Sequence, residues 1–392
     1  VKVKHKILLI GLTVLLLALL AFSGCTGAVK SRGWAGGSVQ DGTLFVASMA
    51  GRIIAIDPAS GSILEPSIPL LIQTSGGLSC GCGGNSVSSV ILYASPVVHD
   101  TVVYVGGMDG RIYAYSFIEN KLRKTAEWIF PRQGSMKGEV VGGITIANDI
   151  LYFATSDGRV YALKADGLYE EWSVDISDKI WSAPVIDGDT LYVGTLDRKI
   201  VALNINDGST KWERETVGAI SSMPVVFGDK VYIGDYDRQF YAFDMTTGEI
   251  VWQFPSDGKS PDNPKNWFWA APVIVNGIIY APCLDGNVYA LDADTGNLIK
   301  KITLGDSISS SPVIMGDSIV VATTNLYKKT GKVYIIDTQN NSQRELASFE
   351  EGINAPLFYN IDVVYVHTTK DTLYGINIIN GTRQTFSLSD VK

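Results

Sequence analysis

The sequence predicts an all-β fold, an eight-bladed β-propeller of four-stranded antiparallel blades, and three observations predict it. The first is composition: 40 glycines, 18 tyrosines and 8 tryptophans in 392 residues describe many short strands joined by tight turns. The second is a repeat. The phrase YAFDMTTGEIVWQF, residues 241–254, returns with variations, and taking Ala242 as origin places its equivalents at Ala55, Ala114, Ala162, Ala202, Ala290, Ile335 and Gly375. The intervals are 59, 48, 40, 40, 48, 45 and 40 residues, a basic period of about 40 with additions, as in four-stranded propeller blades. The third is register: ten residues before the origin stand Phe45, Tyr104, Tyr152, Tyr192, Tyr232, Tyr280 and Tyr365, with only the seventh repeat out of step. Seven blades with a terminal extension is the alternative count.

Each element then has a reason. Strand A opens behind a proline (Pro96, Pro184, Pro224, Pro272, Pro312, Pro356), a residue that cannot donate to a ladder and so sits at strand starts and edges. Strand B carries the aromatic anchor. A turn follows at Asp109-Gly110, Asp157-Gly158, Asp197-Arg198, Asp237-Arg238 and Asp285-Gly286, because aspartate bonds to its own turn backbone and glycine accepts positive φ. Strand C reads Tyr289-Ala290-Leu291-Asp292 in its fullest form. Six residues past the origin stand Gly61, Asn120, Gly208, Gly248, Gly296, Asn341 and Gly381, with Gly167 one place early in the third repeat. Glycine and asparagine share cheap access to left-handed φ, which closes the hairpin into strand D. Strands such as Val231-Tyr232-Ile233-Gly234 are apolar on both faces, as blades stacked on blades require. Trp172, Trp212 and Trp252, ten residues past the origin, fill the gap that widens outward between neighbours.

The N-terminus reads as a separate segment. Lys2, Lys4 and Lys6 precede the apolar stretch 7–22, and Ser23 and Gly24 lead to Cys25, the plan of a secretory signal and short for a spanning helix of roughly 20 apolar residues. The ending Phe22-Ser23-Gly24-Cys25 resembles a bacterial lipoprotein signal, which implies cleavage before Cys25 and lipidation of its sulfur, although phenylalanine stands where an aliphatic residue is usual. An uncleaved signal anchor is the alternative. The chain therefore divides into a signal peptide, 1–24, a linker, 25–33, and a single propeller, 34–392. Without the three signal lysines, 29 basic residues face 40 acidic ones, a formal charge of −11. That charge excludes nucleic acid and an anionic membrane surface as partners of the body, leaving membrane attachment to a lipid at the N-terminus of an exported, envelope-located protein.

The pattern Ala-x-Asp-x-x-Thr-Gly-x-x-x-Trp, complete at residues 242–252 and partial at 202–212 and 290–300, resembles the tryptophan-docking repeat of the pyrroloquinoline-quinone (PQQ) propeller superfamily. The resemblance spans essentially the whole propeller. It implies fold more than function, because the superfamily holds quinoprotein dehydrogenases and also non-enzymatic BamB-like lipoproteins of the outer-membrane assembly machinery. Quinoprotein dehydrogenases place a vicinal Cys-Cys disulfide against the cofactor, with acidic and amide calcium ligands and an aspartate base. No Cys-Cys dipeptide occurs here, so none of those roles transfers to a numbered residue and neither PQQ nor calcium is expected.

Loop lengths sort by rim, since antiparallel strands put A–B and C–D turns on one face of the disc and B–C and D–A connections on the other. Every sizeable insertion falls on the second face: residues 65–93, 131–141 and 255–269 in D–A connections, and five extra residues around Tyr327 in the seventh B–C turn. Insertions confined to one face mark a partner side. The stretch SPDNPKNWFW ends in Trp267, Phe268 and Trp269, with Trp181 at a related place in the fourth repeat; exposed aromatics of this kind are interaction hot spots, or else fold down as a plug over the channel. Asp197 and Asp237 belong to a ring of B–C aspartates that adds negative potential to the same rim, while each also serves its own turn.

The remaining chemistry is thin. Cys80 and Cys82 form a local disulfide, a redox pair or two plain thiols, the disulfide being favoured in an oxidising compartment; their spacing is no zinc signature. Cys283 ends a strand B and reads as a small buried side chain. Three histidines, His5, His99 and His367, lie in the signal, an A–B turn and the last strand B, and no nucleophile elbow or phosphate loop stands out. The expectation is a lipid-anchored, non-enzymatic scaffold whose D–A and B–C rim receives a protein or extended peptide. A PQQ- or metal-binding dehydrogenase-like propeller and a glycan-binding propeller are the alternatives.

Overall fold

A computed structural model describes residues 33–74, 86–131, 133–176, 178–256 and 260–389. The signal segment, Cys25, Cys80 and Cys82 lie outside these. Among the described residues there is no helix, and the strands form eight four-stranded sheets in which each strand pairs with its sequence neighbours, plus a two-stranded hairpin, Leu71–Thr74 with Ser86–Ser89. The sheets are blades 1 to 8, spanning residues 37–69, 97–130, 145–175, 185–215, 225–254, 273–303, 313–349 and 358–387. Blade 5 shows the unit: strand A is Val225–Phe227, B is Lys230–Gly234, C is Phe240–Asp244 and D is Ile250–Phe254. Strands A adjoin between blades 1 and 2 and from blade 3 round to blade 8, blades 2 and 3 pack through a shared apolar cluster, and strand A of blade 8 lies against that of blade 1, so the chain closes into a ring with strands A innermost.

The register matches the sequence columns. Ala242 faces Tyr232, Ala202 faces Tyr192, Ala290 faces Tyr280 and Gly375 faces Tyr365. In blade 7 the partner of Ile335 is Val320, because strands B and C there lengthen to Ser318–Asn325 and Thr330–Asp337. All eight turn residues read as left-handed have positive φ, from 55° at Asn341 to 75° at Gly61.

The tryptophan column joins blades. Nε1 of Trp172, Trp212 and Trp252 donates to the carbonyl of Ile205, Met245 and Ala293 in the C–D turn of the next blade, at 2.9, 2.9 and 3.0 Å. Each indole also lies flat on that turn's glycine: a Cβ at Gly208, Gly248 or Gly296 would sit 2.7, 2.6 or 2.5 Å from the ring. Those glycines thus answer two demands, a left-handed backbone and close approach of a neighbour. At roughly 25 cal/mol per Å² such a ring, burying about 150–250 Å², stabilises by several kcal/mol as an upper bound.

Closure needs no exchanged strand, since blades 1 and 8 each use one contiguous stretch. Leu44, Ile54 and Ile56 pack on Phe358, Leu373 and Phe386 across the seam. A polar clasp lies beside them: the Met49 amide donates to Asp371 Oδ1 at 2.8 Å, and buried His367 sets Nδ1 2.9 Å from the Ala35 carbonyl and Nε2 3.0 Å from the same carboxylate oxygen.

Candidate functional site

The two rims differ as loop lengths predict. All eight A–B turns have two residues, and pairs such as Asn148-Asp149 (φ 50° and 61°) and Asn276-Gly277 (51° and 73°) are left-handed at both positions, the turn that suits strand twist. Connections from D to A instead run through residues 70–96, 131–144 and 255–272, against 176–184, 216–224, 304–312 and 350–357 elsewhere. The short-turn rim is not wholly polar: Phe227 and Ile361 in A–B turns or beside them and Tyr169 and Ile379 in C–D turns are exposed there, Ile361 and Ile379 in the same blade.

The long D–A segment of blade 5 splits its three aromatics. Trp267 is 44% exposed, whereas Phe268 is 1% exposed, packed edge-on against Phe240 and Tyr289 at 5.4 and 5.9 Å. This corrects the expectation of three surface aromatics: alternation along an extended segment turns the middle ring into the seam between blades 5 and 6. Trp267 and Trp269 both stack on Tyr236 of the blade 5 B–C turn, at 4.6 and 5.7 Å and nearly parallel. Trp181 is 39% exposed, and Tyr327 caps the long blade 7 hairpin at 98% exposed.

The B–C aspartates are occupied as well as charged. Asp197 accepts the Lys179 amide at 3.2 Å, and Asp285 accepts the Lys265 amide at 2.9 Å and the Tyr289 hydroxyl at 2.7 Å, so each pins the preceding D–A connection. The Asp237 amide donates to Asp235, while its own side chain is exposed. Asp235 was not foreseen. Fully buried, it accepts from the Gly218, Asp237 and Gln239 amides and the Tyr241 hydroxyl at 2.7–3.1 Å. Burial pushes its pKa up and the amide bonds oppose that. Four donors on one carboxylate mark a turn-builder rather than a proton donor. Cys283 is fully buried, with its thiol pKa pushed far up by burial, as suits a core residue.

The central channel opens on the rim of long connections as a cavity of about 640 Å³. One position of the repeat rings its mouth, four residues before the strand A residue that faces the strand B anchor. In blades 1, 2, 4 and 6 that position is Trp34, Tyr93, Trp181 and Trp269; in blades 3, 5, 7 and 8 it is Val141, Ser221, Ser309 and Asn354. Trp34 and Tyr93 touch, with centroids 4.4 Å apart. Among the described residues lining the cavity none is charged, in a chain with 72 charged side chains. Sequence reasoning found Trp181 and Trp269 as aromatics of the D–A connections but not the ring, because its members stand about 40 residues apart and only alignment on strand A reveals the column.

Most hydroxyls in this wall are used within it. Ser95 accepts the Gly36 amide, Ser311 accepts the Ala271 amide and Thr145 donates to the Pro184 carbonyl, each bond tying adjacent blades. Ser309 donates to Asn354 at 3.4 Å. Ser221, between Trp181 and Trp269 in ring order, buries its Oγ beside the Tyr236 hydroxyl, and neither atom reaches any other polar group. Burial pushes the Tyr236 pKa up, and the nearby Ser221 hydroxyl offsets this in part. Among the described residues no group of three or more His, Cys, Asp or Glu side chains has metal-holding geometry.

A family model described as outer membrane protein assembly factor BamB matches residues 26–167 and 156–385. Among solved structures, the computationally designed Ika8 protein is similar with a TM-score of 0.66 at 13% identity, over 91% of this chain and 97% of that one. BamB from Moraxella catarrhalis gives 0.58 at 18%, over 81% and 91%, and Sqt1 from Saccharomyces cerevisiae 0.60 at 14%, over 72% and 81%. At these identities the three likenesses establish the propeller architecture alone. No protein of curated function matches the sequence.

Proposed function

The chain belongs to the family of the outer membrane protein assembly factor BamB, and from that premise we propose that it is a non-enzymatic, protein-binding scaffold of the cell envelope. The observation that carries the reading is the asymmetry of the rims: long connections, exposed tryptophans and the channel mouth share one face, and the other carries the two-residue A–B turns and C–D turns of two to five residues. Trp181, Trp267 and Tyr327 supply rigid aromatic area of the sort that dominates interface energies. Export and lipidation at Cys25 tether the body through the linker in this reading, and the sequence plan of residues 1–25 supports it.

The dehydrogenase-like alternative finds a poor wall. A polyanionic quinone needs cations, and calcium takes six to eight oxygen ligands, mostly carboxylates; among the described residues the channel mouth offers no charged side chain, only Asn354 and hydroxyls mostly engaged within the wall. Binding of neither PQQ nor calcium is part of the proposal.

Affinity capture from the protein's own cells tests the scaffold reading, comparing wild type with Trp181→Ser/Trp267→Ser. The reading expects a defined protein partner with wild type and at least tenfold less with the variant. Equal recovery overturns the assignment of this rim. Replacing Cys25 by Ser and following incorporation of labelled palmitate tests the anchor, which predicts label on wild type alone.

A further inference from the structure

We propose that the ring at the channel mouth is an anchor pocket for an uncharged, apolar side chain carried on an extended loop of the partner protein. This rests on the scaffold reading and adds the chemistry that the scaffold selects. Three observations carry it.

The first is charge. With no ionic group among the described residues that line it, in a chain this rich in them, the wall cannot neutralise a carboxylate or ammonium brought out of water, so a charged tip is refused and an apolar one accepted. The second is shape. Aromatic residues at four of eight ring positions surround about 640 Å³, room for two or three large side chains, and ligand pockets are walled by such rings with a few polar groups fixing orientation.

The third is the state of the hydroxyls, which decides between a peptide and a neutral sugar. A hexose presents several hydroxyls, each needing a partner to replace water. Here Ser95, Ser311 and Thr145 are bonded to backbone and Ser309 to Asn354. The Oγ of Ser221, set between Trp181 and Trp269, is buried against the Tyr236 hydroxyl and is closed to solvent. A wall whose hydroxyls are engaged with backbone and with one another offers a hexose few replacements for water, and its aromatic rings fit an apolar side chain.

The test uses the whole chain and defined probes: a capped peptide, Ac-Gly-Phe-Gly-Leu-Gly-NH2, the same peptide with aspartate for phenylalanine and leucine, and maltotriose, followed by calorimetry and tryptophan fluorescence. The proposal expects saturable binding of the first peptide, binding of the aspartate peptide at least tenfold weaker, and no response to maltotriose. Ser221→Asp, which places a charge in the ring, is expected to weaken the first peptide at least tenfold; Ser309→Asp, two ring positions away, does the same by an independent fold-checked variant. Absence of saturable peptide binding, equal binding of both peptides, or preference for maltotriose each overturns it. If peptides fail while capture of a protein partner still depends on Trp181 and Trp267, the pocket is wrong and the scaffold stands; loss of both removes both.

Discussion

Trp172, Trp212 and Trp252 share one position of the repeat, and Trp34, Trp181 and Trp269 share another, yet the two columns behave as opposites. Members of the first are spent: each indole covers a glycine of the next blade and gives its N–H to that blade's turn. Those of the second face the channel mouth, with Trp34 and Trp181 more than a third exposed. The same side chain is mortar where a neighbouring turn receives both its face and its N–H, and keeps surface for a partner where, as at Trp34 on Tyr93 or Trp269 on Tyr236, another ring covers one side alone. A tryptophan therefore informs about function only when its whole environment is known.

Substitutions sharpen that contrast, and the largest effects belong to the mortar. Trp212→Ala and Phe268→Ala each empty a buried seam and are expected to cost about 3–5 kcal/mol in chemical denaturation, whereas Trp181→Ala and Trp267→Ala, on exposed rings, cost about 0.5 kcal/mol or less. A large loss at Trp267 would mean that its stack on Tyr236 is structural. Next comes the glycine beneath the indole. Gly248→Ala combines left-handed strain with a Cβ 2.6 Å from Trp212 and is expected to cost about 3 kcal/mol, while Gly188→Ala, left-handed but facing open space, costs about 1–2 kcal/mol. Equal losses at the two would dismiss the indole contact.

The smallest effect concerns acid. Hydrogen bonds from the Thr247 amide and hydroxyl hold the Asp244 pKa below its ordinary 3.8. A depressed carboxyl contributes stability above its unfolded pKa and loses it as pH falls through the folded one. The midpoint of thermal unfolding should therefore drop more steeply below about pH 3.8 in wild type than in Asp244→Asn. Parallel curves would show that the turn holds without its charge.

Much of the ring was legible because a propeller writes its core in columns. The strand B aromatic, the left-handed turn residue and the docking tryptophan each recur about 40 residues apart, and each answers a local demand that other residue types meet poorly. What escaped was of two kinds. The fate of Trp267-Phe268-Trp269 depends on which side of an extended segment meets the next blade, and composition reports three aromatics without a direction. Reading the alternation would have turned Phe268 inward. The channel ring escaped because its members, from Trp34 to Asn354, are unlike one another; a column that varies in type carries no recurring signal until strand A supplies the alignment. The B–C aspartates were read as rim charge and as turn residues, and Asp197 and Asp285 turn out to hold the incoming D–A connection by its backbone.

Hydrogen exchange on the captured complex tests the central claim most directly. With one rim serving as the contact face, binding should slow exchange in residues 255–272 and in the blade 7 hairpin around Tyr327, leaving the two-residue A–B turns at their free rate. Protection confined to the A–B and C–D turns, with the long connections unchanged, would contradict it.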